Sequence, residues 1–157
     1  MKLYMMIGVP GSGKSTYAKN FIKYARYKEG RDIVYISRDE IRFSLLKEGE
    51  PYFSKEKQTY KIFMETMREA LKEGKDVLID ATHMTWGSRH KIFRNISNID
   101  GVVVYGMWMR TPYMDCVVRN QGREGIRRVP DDQLFNMIEH FEEPDISEGF
   151  EHIQEVW

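Results

Sequence analysis

One loop, GVPGSGKST at positions 8–16, constrains the fold of this chain more than any other feature. It follows the apolar run Leu3–Ile7, which is typical of a buried strand, and it leads into a segment with apolar residues at helical spacing. Glycines permit backbone conformations in which successive N–H groups point inward around an anion, and the helix that follows adds its positive dipole end. The positions that match G-x-x-x-x-G-K-[ST] are Gly8, Gly13, Lys14 and Ser15. We therefore expect a strand, a phosphate-binding loop and a helix in succession.

The loop also indicates which anion it holds. Lys14 is placed to reach the β- and γ-phosphates of a nucleoside triphosphate, and the Ser15 hydroxyl to ligate Mg²⁺, so we expect ATP and Mg²⁺ as cofactors. The alternative is a glycine-rich turn with a chance lysine, and the flanking strand and helix patterns argue against it. The residues expected to contact the phosphates are Gly11, Ser12, Gly13, Lys14, Ser15 and Thr16.

Strand-like and helical patterns alternate along the chain. Strand-like runs lie at Leu3–Ile7, Asp32–Ile36, Asp76–Ile79 and Val102–Trp108, with a last one at His152–Trp157. Helical patterns lie at Lys14–Tyr27, in a short stretch from Arg38, and at Lys55–Lys72, Ser88–Ile96, Tyr113–Asn120 and Pro130–Phe141. Such alternation predicts right-handed crossovers and a mainly parallel sheet with helices on both faces. We expect an α/β chain with the three-layer P-loop NTPase fold, whose ligands lie at the carboxyl ends of the strands.

Composition limits the class of protein. The 157 residues suit a single domain, and 41% hydrophobic with 31% charged residues is ordinary for a soluble globular chain. No apolar run approaches the length of a membrane span, and the N-terminus lacks the layout of a signal peptide. We therefore expect a cytoplasmic protein without a membrane partner. Cys116 is the single cysteine, which excludes an internal disulfide.

Charge is distributed unevenly although the net charge is zero. All 24 basic residues, but only 15 of the 24 acidic ones, lie in the first 128 positions. The even overall balance therefore does not exclude a polyanionic substrate. A solvated acidic tail beside an ordinary basic surface explains the same pattern equally well.

Two aspartates follow predicted strands. Asp80 comes directly after the apolar residues 77–79, where it can hold Mg²⁺ directly or through water; a strand-end turn or a helix cap is the alternative. Asp39 lies just past the second strand, beside Arg38 and Arg42. It can accept the proton of an attacking hydroxyl or cap the helix that follows, and position alone favours neither role.

An arginine-rich run, RNQGREGIRRVPDD, lies between the last two predicted helices. Guanidinium groups can stabilise the charge that spreads over the γ-phosphate oxygens during transfer. The two glycines of the run and its Val129-Pro130 pair favour a hinged lid, which we place at about 111–130, over a solvated basic helix end. The arginines of the run are Arg119, Arg123, Arg127 and Arg128.

Four motifs follow one another along the chain: IGVPGSGKST, SRDEIR, DATHMTWGSR and RNQGREGIRRVPDD. In order and spacing they resemble the 5′-kinase domain of the bacteriophage polynucleotide kinase family. The similarity covers nearly the whole chain, although outside the motifs it is mostly spacing. The first motif is common to many NTPases, whereas the second and fourth together are far more specific. The family's phage prototype also carries a phosphatase domain with a DxDGT motif, which these 157 residues lack.

The resemblance implies roles for individual residues. Asp39 matches the general base that activates the 5′-hydroxyl, and Arg42 matches the contact to the substrate's first phosphate. Arg119 and Arg123 match lid arginines that touch the ATP phosphates, and no role carries over to the other two arginines of the run. The predicted set comprises Lys14, Asp39 and Arg123 as catalytic, Arg38, Asp39, Arg42 and Thr82 as substrate-binding, and Ser15 and Asp80 as metal-binding residues.

The activity that the resemblance implies is ATP-dependent phosphorylation of a 5′-hydroxyl end of DNA or RNA, with that nucleic-acid end as the partner. A small-molecule or nucleotide kinase of the same P-loop superfamily would use Asp39 and Arg42 equally well. A switch or assembly ATPase is disfavoured, because the chain has no NKxD guanine signal and lacks the accessory domain of ring ATPases. The preference for DNA or RNA, and any protein partner, stay open.

Overall fold

A computed structural model of the protein describes all 157 residues. Its strands are β1 (Lys2–Ile7), β2 (Ile33–Ser37), β3 (Asp76–Asp80), β4 (Val103–Met109) and β5 (His152–Val156). Its helices are α1 (Lys14–Glu29), α2 (Arg38–Leu45), α3 (Glu56–Lys72), α4 (Trp86–Ile96), α5 (Tyr113–Gln121) and α6 (Asp131–Glu139). The strands form one sheet in the order β2-β3-β1-β4-β5, and every neighbouring pair is parallel. The predicted α/β fold with a parallel sheet is confirmed.

The central strand β1 packs against helices on both faces of the sheet, which gives the three layers helix, sheet and helix. Its successive side chains point to opposite faces of the sheet, so Leu3, Met5 and Ile7 join one apolar cluster and Tyr4 and Met6 join another. Helices α3 and α4 contribute to the first cluster, and α1 contributes to the second. Because both faces are covered, the strand is a continuous apolar run rather than an alternating one.

The register of the sheet brings three polar segments to one edge. Ser37 at the end of β2 lies opposite Asp80 at the end of β3. The backbone N–H of Gly8 donates to the Thr82 carbonyl at 3.0 Å, which joins the loop after β1 to the segment after β3. The loop after β1, the start of α2 and the DATH segment therefore meet at the carboxyl edge, as expected for a parallel sheet.

The arginine-rich run is closed at its base by a buried side chain. The Asn120 amide donates to the Val129 carbonyl at 2.8 Å and accepts from the Val129 N–H at 3.0 Å. A short 3₁₀ turn at Gly125–Arg127, which the sequence pattern does not predict, lies inside the loop that this contact closes. None of the helices combines the length and the apolar character that a membrane span requires.

The acidic C-terminal segment is partly structural. Its Glu148 side chain is 2% exposed and accepts from Arg89 of α4, whose side chain is 0% exposed, at 2.8 and 3.2 Å. Arg89 also donates to the His83 carbonyl at 2.8 Å. Because a buried charge is costly unless it is paired, this contact anchors the segment to α4 and to the loop after β3. A solvated acidic tail, one of the two explanations that the charge pattern allows, therefore does not describe Glu148.

Candidate active site

The phosphate loop owes its shape to two glycines. Gly11 and Gly13 have φ angles of 83° and 92°, in the left-handed region that favours glycine. A Cβ on Gly11 would also lie 2.4 Å from the Cys116 carbonyl oxygen of α5, so the loop backbone packs directly against that helix. Gly13 precedes α1 and provides no side-chain cap, which leaves the first N–H groups of the helix without a side-chain acceptor. This arrangement suits an anion.

Lys14 begins α1 and points into the same site. Its ammonium donates to the Val9 carbonyl of the loop at 3.0 Å. Burial lowers the pKa of Lys14, while the negative charges of Asp80 and Asp39 raise it. The lysine therefore lies in a field of two carboxylates, and an incoming phosphate would compete with the Val9 carbonyl for its protons.

Asp80 ends β3 and gathers two hydroxyl groups. Its Oδ2 accepts from Ser15 Oγ at 2.7 Å and from the Tyr35 hydroxyl at 2.5 Å. Burial, followed by the charge of Asp80, raises the pKa of Tyr35, so its hydroxyl remains a donor. Ser15 and Asp80 supply adjacent oxygen ligands of the kind that Mg²⁺ takes from proteins alongside phosphate oxygens and water, so the pair fits the ion. No group of three or more acidic, histidine or cysteine side chains is arranged so that it could hold a metal ion by itself.

The structure removes one of the two roles that position alone allows for Asp39. The N-cap of α2 is Ser37, whose hydroxyl accepts from the Glu40 N–H at 3.2 Å. Asp39 lies one residue inside the helix, and its side chain is 50% exposed. Its carboxylate is therefore not a helix cap and remains open to the cavity that it lines.

Arg42 lies one helical turn beyond Asp39 and contacts it. The Arg42 guanidinium also donates to Glu56 through Nε at 3.1 Å and Nη2 at 3.0 Å, and to the Tyr52 hydroxyl at 3.3 Å. The side chain is 6% exposed, and Glu56 accepts from Arg38 as well. A substrate phosphate could reach Arg42 only by replacing one of these partners.

The four arginines of the run have different surroundings. Arg119 on α5 donates to the Gly11 carbonyl at 3.4 Å, and Arg123 lines the candidate cavity. Arg127 lies against the ring of Phe43, with its guanidinium carbon 5.0 Å from the ring centre. The last of the four, at position 128, pairs with Asp131 at 3.2 Å. Two of the four therefore lie at the phosphate loop or the candidate cavity. Arg127 lies outside the lining of that cavity but borders a smaller pocket beside it, which Asp39 and Arg123 also line.

These segments enclose a cavity of about 370 Å³ at the carboxyl edge of the sheet. The predicted residues that line it are Gly11, Gly13, Lys14, Ser15, Thr16, Arg38, Asp39, Arg42, Asp80, Thr82 and Arg123. Ser12 and Arg119 lie outside the lining, and the Ser12 hydroxyl is buried without a hydrogen-bond partner. Most of the predicted set is thus brought together in one place.

Three residues of the site were not found by sequence reasoning. Tyr35 and Glu56 lie outside the four motifs, and His83 lies within DATHMTWGSR but has no predicted role there. Each of the three contacts a partner from a distant part of the chain. His83 is 5% exposed with φ 42°, and its Nδ1 lies 2.6 Å from the Met6 carbonyl while Nε2 has no partner. Burial lowers the pKa of His83 to about 3. The imidazole is therefore neutral near pH 7.

A nucleotide-phosphate loop, a strand-end carboxylate and a cluster of arginines converge on one cavity of a parallel sheet, and this combination defines a P-loop kinase fold. Residues 3–144 match the family described as an AAA domain, and the chain belongs to that family.

Individual relatives agree with this class. L-seryl-tRNA(Sec) kinase of Methanococcus maripaludis is 28% identical to this chain over 144 residues. The match covers 90% of this chain and 53% of the relative, so the chain spans about half of that protein's length. A chain of the Pnkp1/Rnl/Hen1 complex is 27% identical, with a TM-score of 0.61 over 75% of this chain and 38% of that one. A putative kinase from Chloroflexus aurantiacus shares the fold, with a TM-score of 0.75 and 13% identity over 99% and 86% of the two chains.

Proposed function

We propose that this chain is an ATP-dependent kinase that transfers the γ-phosphate of ATP to a 5′-hydroxyl end of DNA or RNA. The observation that carries the proposal is the contact between Asp39 and Arg42, since both line the cavity that Lys14 also lines. A carboxylate beside a guanidinium suits an acceptor whose hydroxyl and phosphate belong to one nucleotide. Two relatives add support, because one is named for a tRNA substrate and the other comes from a complex named for Pnkp1.

In the proposed reaction Asp39 accepts the proton of the 5′-hydroxyl while the hydroxyl oxygen bonds to the γ-phosphorus. The bond from that phosphorus to the bridging β-phosphate oxygen breaks, and ADP leaves. Lys14 and Arg123 stabilise the negative charge on the transferring group. Ser15 and Asp80 would hold Mg²⁺, which supplies further neutralisation of the phosphate oxygens.

Arg42 has a second part in this scheme. As it stands, its guanidinium is shared between Glu56 and Asp39. When the 3′-phosphate of the acceptor nucleotide binds Arg42 in place of Asp39, the carboxylate is released to face the hydroxyl. Phosphate recognition and preparation of the base are then coupled through one side chain.

In this proposal the arginine-rich segment acts as a lid over the active site. Residues 1–157 form a single kinase domain in which the segment at about 111–130 closes on the triphosphate and excludes water. The mutual hydrogen bonds of Asn120 and Val129 support this assignment, because they hold both ends of the intervening loop together. Arg123 lies within that loop.

A small-molecule or nucleotide kinase is the second candidate. The cavity volume of about 370 Å³ favours it, because that volume lies at the lower end of the range, about 300–1,000 Å³, that is typical of small-ligand sites. Such a kinase needs Asp39 and the phosphate loop but gains nothing from a buried arginine when its acceptor is an uncharged alcohol.

The deciding experiment compares a nucleoside with its 3′-phosphate as acceptors, using labelled ATP and Mg²⁺. A charge-assisted hydrogen bond contributes about 1.5–3 kcal/mol, so wild type should prefer the 3′-phosphate by about 10- to 150-fold in kcat/KM. Arg42→Ala and Arg42→Lys should both reduce this ratio, and a ratio does not depend on the folded fraction of each variant. The exposed Arg94→Ala serves as the control. Equal rates on both acceptors, unaffected by Arg42→Ala, would leave the small-molecule kinase as the better account.

A further inference from the structure

A second cavity lies beside the candidate active site, between α3 and α4. It has a volume of about 650 Å³, and Tyr60 lines both it and the first cavity. Two cations flank this shared side chain: the Arg38 guanidinium carbon lies 5.5 Å and the Lys91 ammonium 6.0 Å from the centre of the Tyr60 ring. We call the second cavity the α3–α4 groove. A chain-like ligand that leaves the active site past Tyr60 would enter it.

The α3–α4 groove is strongly basic. Its cations are Lys55, Lys57, Lys61 and Arg68, and its single carboxylate is Glu65. Lys55 is paired with Glu50 at 3.6 Å, and the other lysine ion pairs of the protein involve Lys19 and Lys75. Lys57 and Lys61 are both exposed and form no ion pair. Two unpaired positive charges are therefore available to an anionic ligand.

Three of the four cations of the groove lie along one line. Lys57, Lys61, Met64 and Arg68 follow one another on α3 at steps of four, three and four residues, which places them on one face of the helix. At 1.5 Å per residue this face extends ~17 Å from Lys57 to Arg68. At 3.4 Å per phosphate of a stacked strand, that length matches roughly five phosphates, and fewer where the strand is stretched. The row suits a linear polyanion better than a single phosphate group.

We propose that the α3–α4 groove binds the nucleic-acid strand that continues 3′ from the phosphorylated end. The inference rests on the proposed function, in which the first nucleotide occupies the active-site cavity with its 5′-hydroxyl at Asp39. The following phosphates pass Arg38 and Lys91 at the Tyr60 junction and then lie along Lys57 and Lys61. Contacts of this kind read charge rather than base identity, so the groove strengthens binding of longer strands without selecting their sequence.

The test uses Lys57→Gln/Lys61→Gln, because neither residue lines the active-site cavity. The control, Lys23→Gln/Lys28→Gln, removes two charges from exposed, unpaired lysines of α1. Binding of a 5′-hydroxyl single-stranded decanucleotide, labelled at its 3′ end, is measured by fluorescence anisotropy over a fourfold range of salt. Phosphorylation of a nucleoside 3′-phosphate is measured with the same proteins.

Each phosphate contact with a single strand contributes about 0.7 to the slope of log affinity against log salt. Because the groove variant lacks two lysines, its slope should be shallower than that of wild type by about 1.4. When the salt concentration is raised fourfold, the factor by which affinity falls should therefore be about seven times larger for wild type than for the variant. Its kcat/KM for the nucleoside 3′-phosphate should equal that of wild type, and the α1 control should match wild type in both assays.

A groove variant with the slope and affinity of the control would overturn the proposal. So would binding of an acidic peptide, but not of the decanucleotide, that depends on Lys57 and Lys61. A third outcome separates the two proposals. If neither wild type nor the two variants phosphorylate the nucleoside 3′-phosphate, but the salt slopes of wild type and the groove variant still differ, the proposed function fails and strand binding in the groove stands.

Discussion

The buried ion pair between Arg89 and Glu148 ties the end of the chain to the loop that forms one wall of the cavity. Glu148→Gln keeps the size of the side chain and an oxygen acceptor but removes the negative charge. Arg89 would then remain as a buried cation, 0% exposed, with the His83 and Glu143 carbonyls and a neutral amide as its partners. We expect this single change to destabilise the protein severely.

The magnitude follows from the burial of both partners. Removing one member of a buried ion pair costs about 3–5 kcal/mol, because it leaves an uncompensated charge away from water. Domains have total stabilities of about 5–15 kcal/mol, so the loss is a large share of the whole. For a chain of this size each kcal/mol corresponds to about 2–4 °C, which predicts a fall in Tm of roughly 6–20 °C.

Urea titration followed by far-UV circular dichroism measures the free energy of unfolding directly. Glu151→Gln is the matched control, since it removes a charge from an exposed position of the same segment and should change stability by about 0.5 kcal/mol or less. Arg89→Met/Glu148→Leu should recover most of the loss, because it removes both charges at similar volume. A loss below about 1 kcal/mol in Glu148→Gln, or a double variant no better than the single one, would refute an unpaired charge as the cause.

Four further predictions concern the cavity. Lys14→Ala should leave a folded protein without phosphotransfer, because the ammonium stabilises charge rather than packs; a labelled-ATP assay beside a thermal melt checks both, and near-normal turnover would exclude the loop as the catalytic one. Asp39→Asn should lower kcat by a factor of about 10²–10⁴. The free energy of unfolding should change little, since the N-cap of α2 is Ser37. A folded and fully active variant would contradict the assignment of Asp39 as the base. Arg123→Ala should lower kcat by more than it disturbs stability, and ATP with Mg²⁺ should slow proteolysis within the lid; cleavage at an unchanged rate would mean that the segment does not close on nucleotide. Burial lowers the pKa of His83 from 6.5 to about 3, so between those pH values the unfolded chain takes up a proton that the native chain does not. The free energy of unfolding should therefore fall by up to about 1.4 kcal/mol per pH unit as pH drops through this window. In urea titrations His83→Asn should remove that dependence, whereas the exposed His152→Asn should keep it.

Much of the fold was predictable from local sequence signals. The phosphate loop depends on backbone conformations that glycine adopts readily, and Gly11 and Gly13 have the positive φ angles that this requires. Strands and helices follow from the period of the apolar residues, so every predicted strand and helix is present in the structure. Polar residues that follow parallel strands must meet at one edge of the sheet, and for this reason Asp39 and Asp80 could be placed near the loop before the strand order was known.

The partners of these residues were decided only by the tertiary structure. Sequence spacing shows that Asp39 and Arg42 share a helix face, but it does not show that Glu56, from the start of α3, holds the same guanidinium. Nor does it show that the Tyr35 hydroxyl donates to Asp80, 45 residues away. Such contacts depend on how each helix packs onto the sheet and on which strands become neighbours. Glycine conformation and apolar period act over a few residues, whereas a buried charge takes its partner from whichever segment the packed core places beside it.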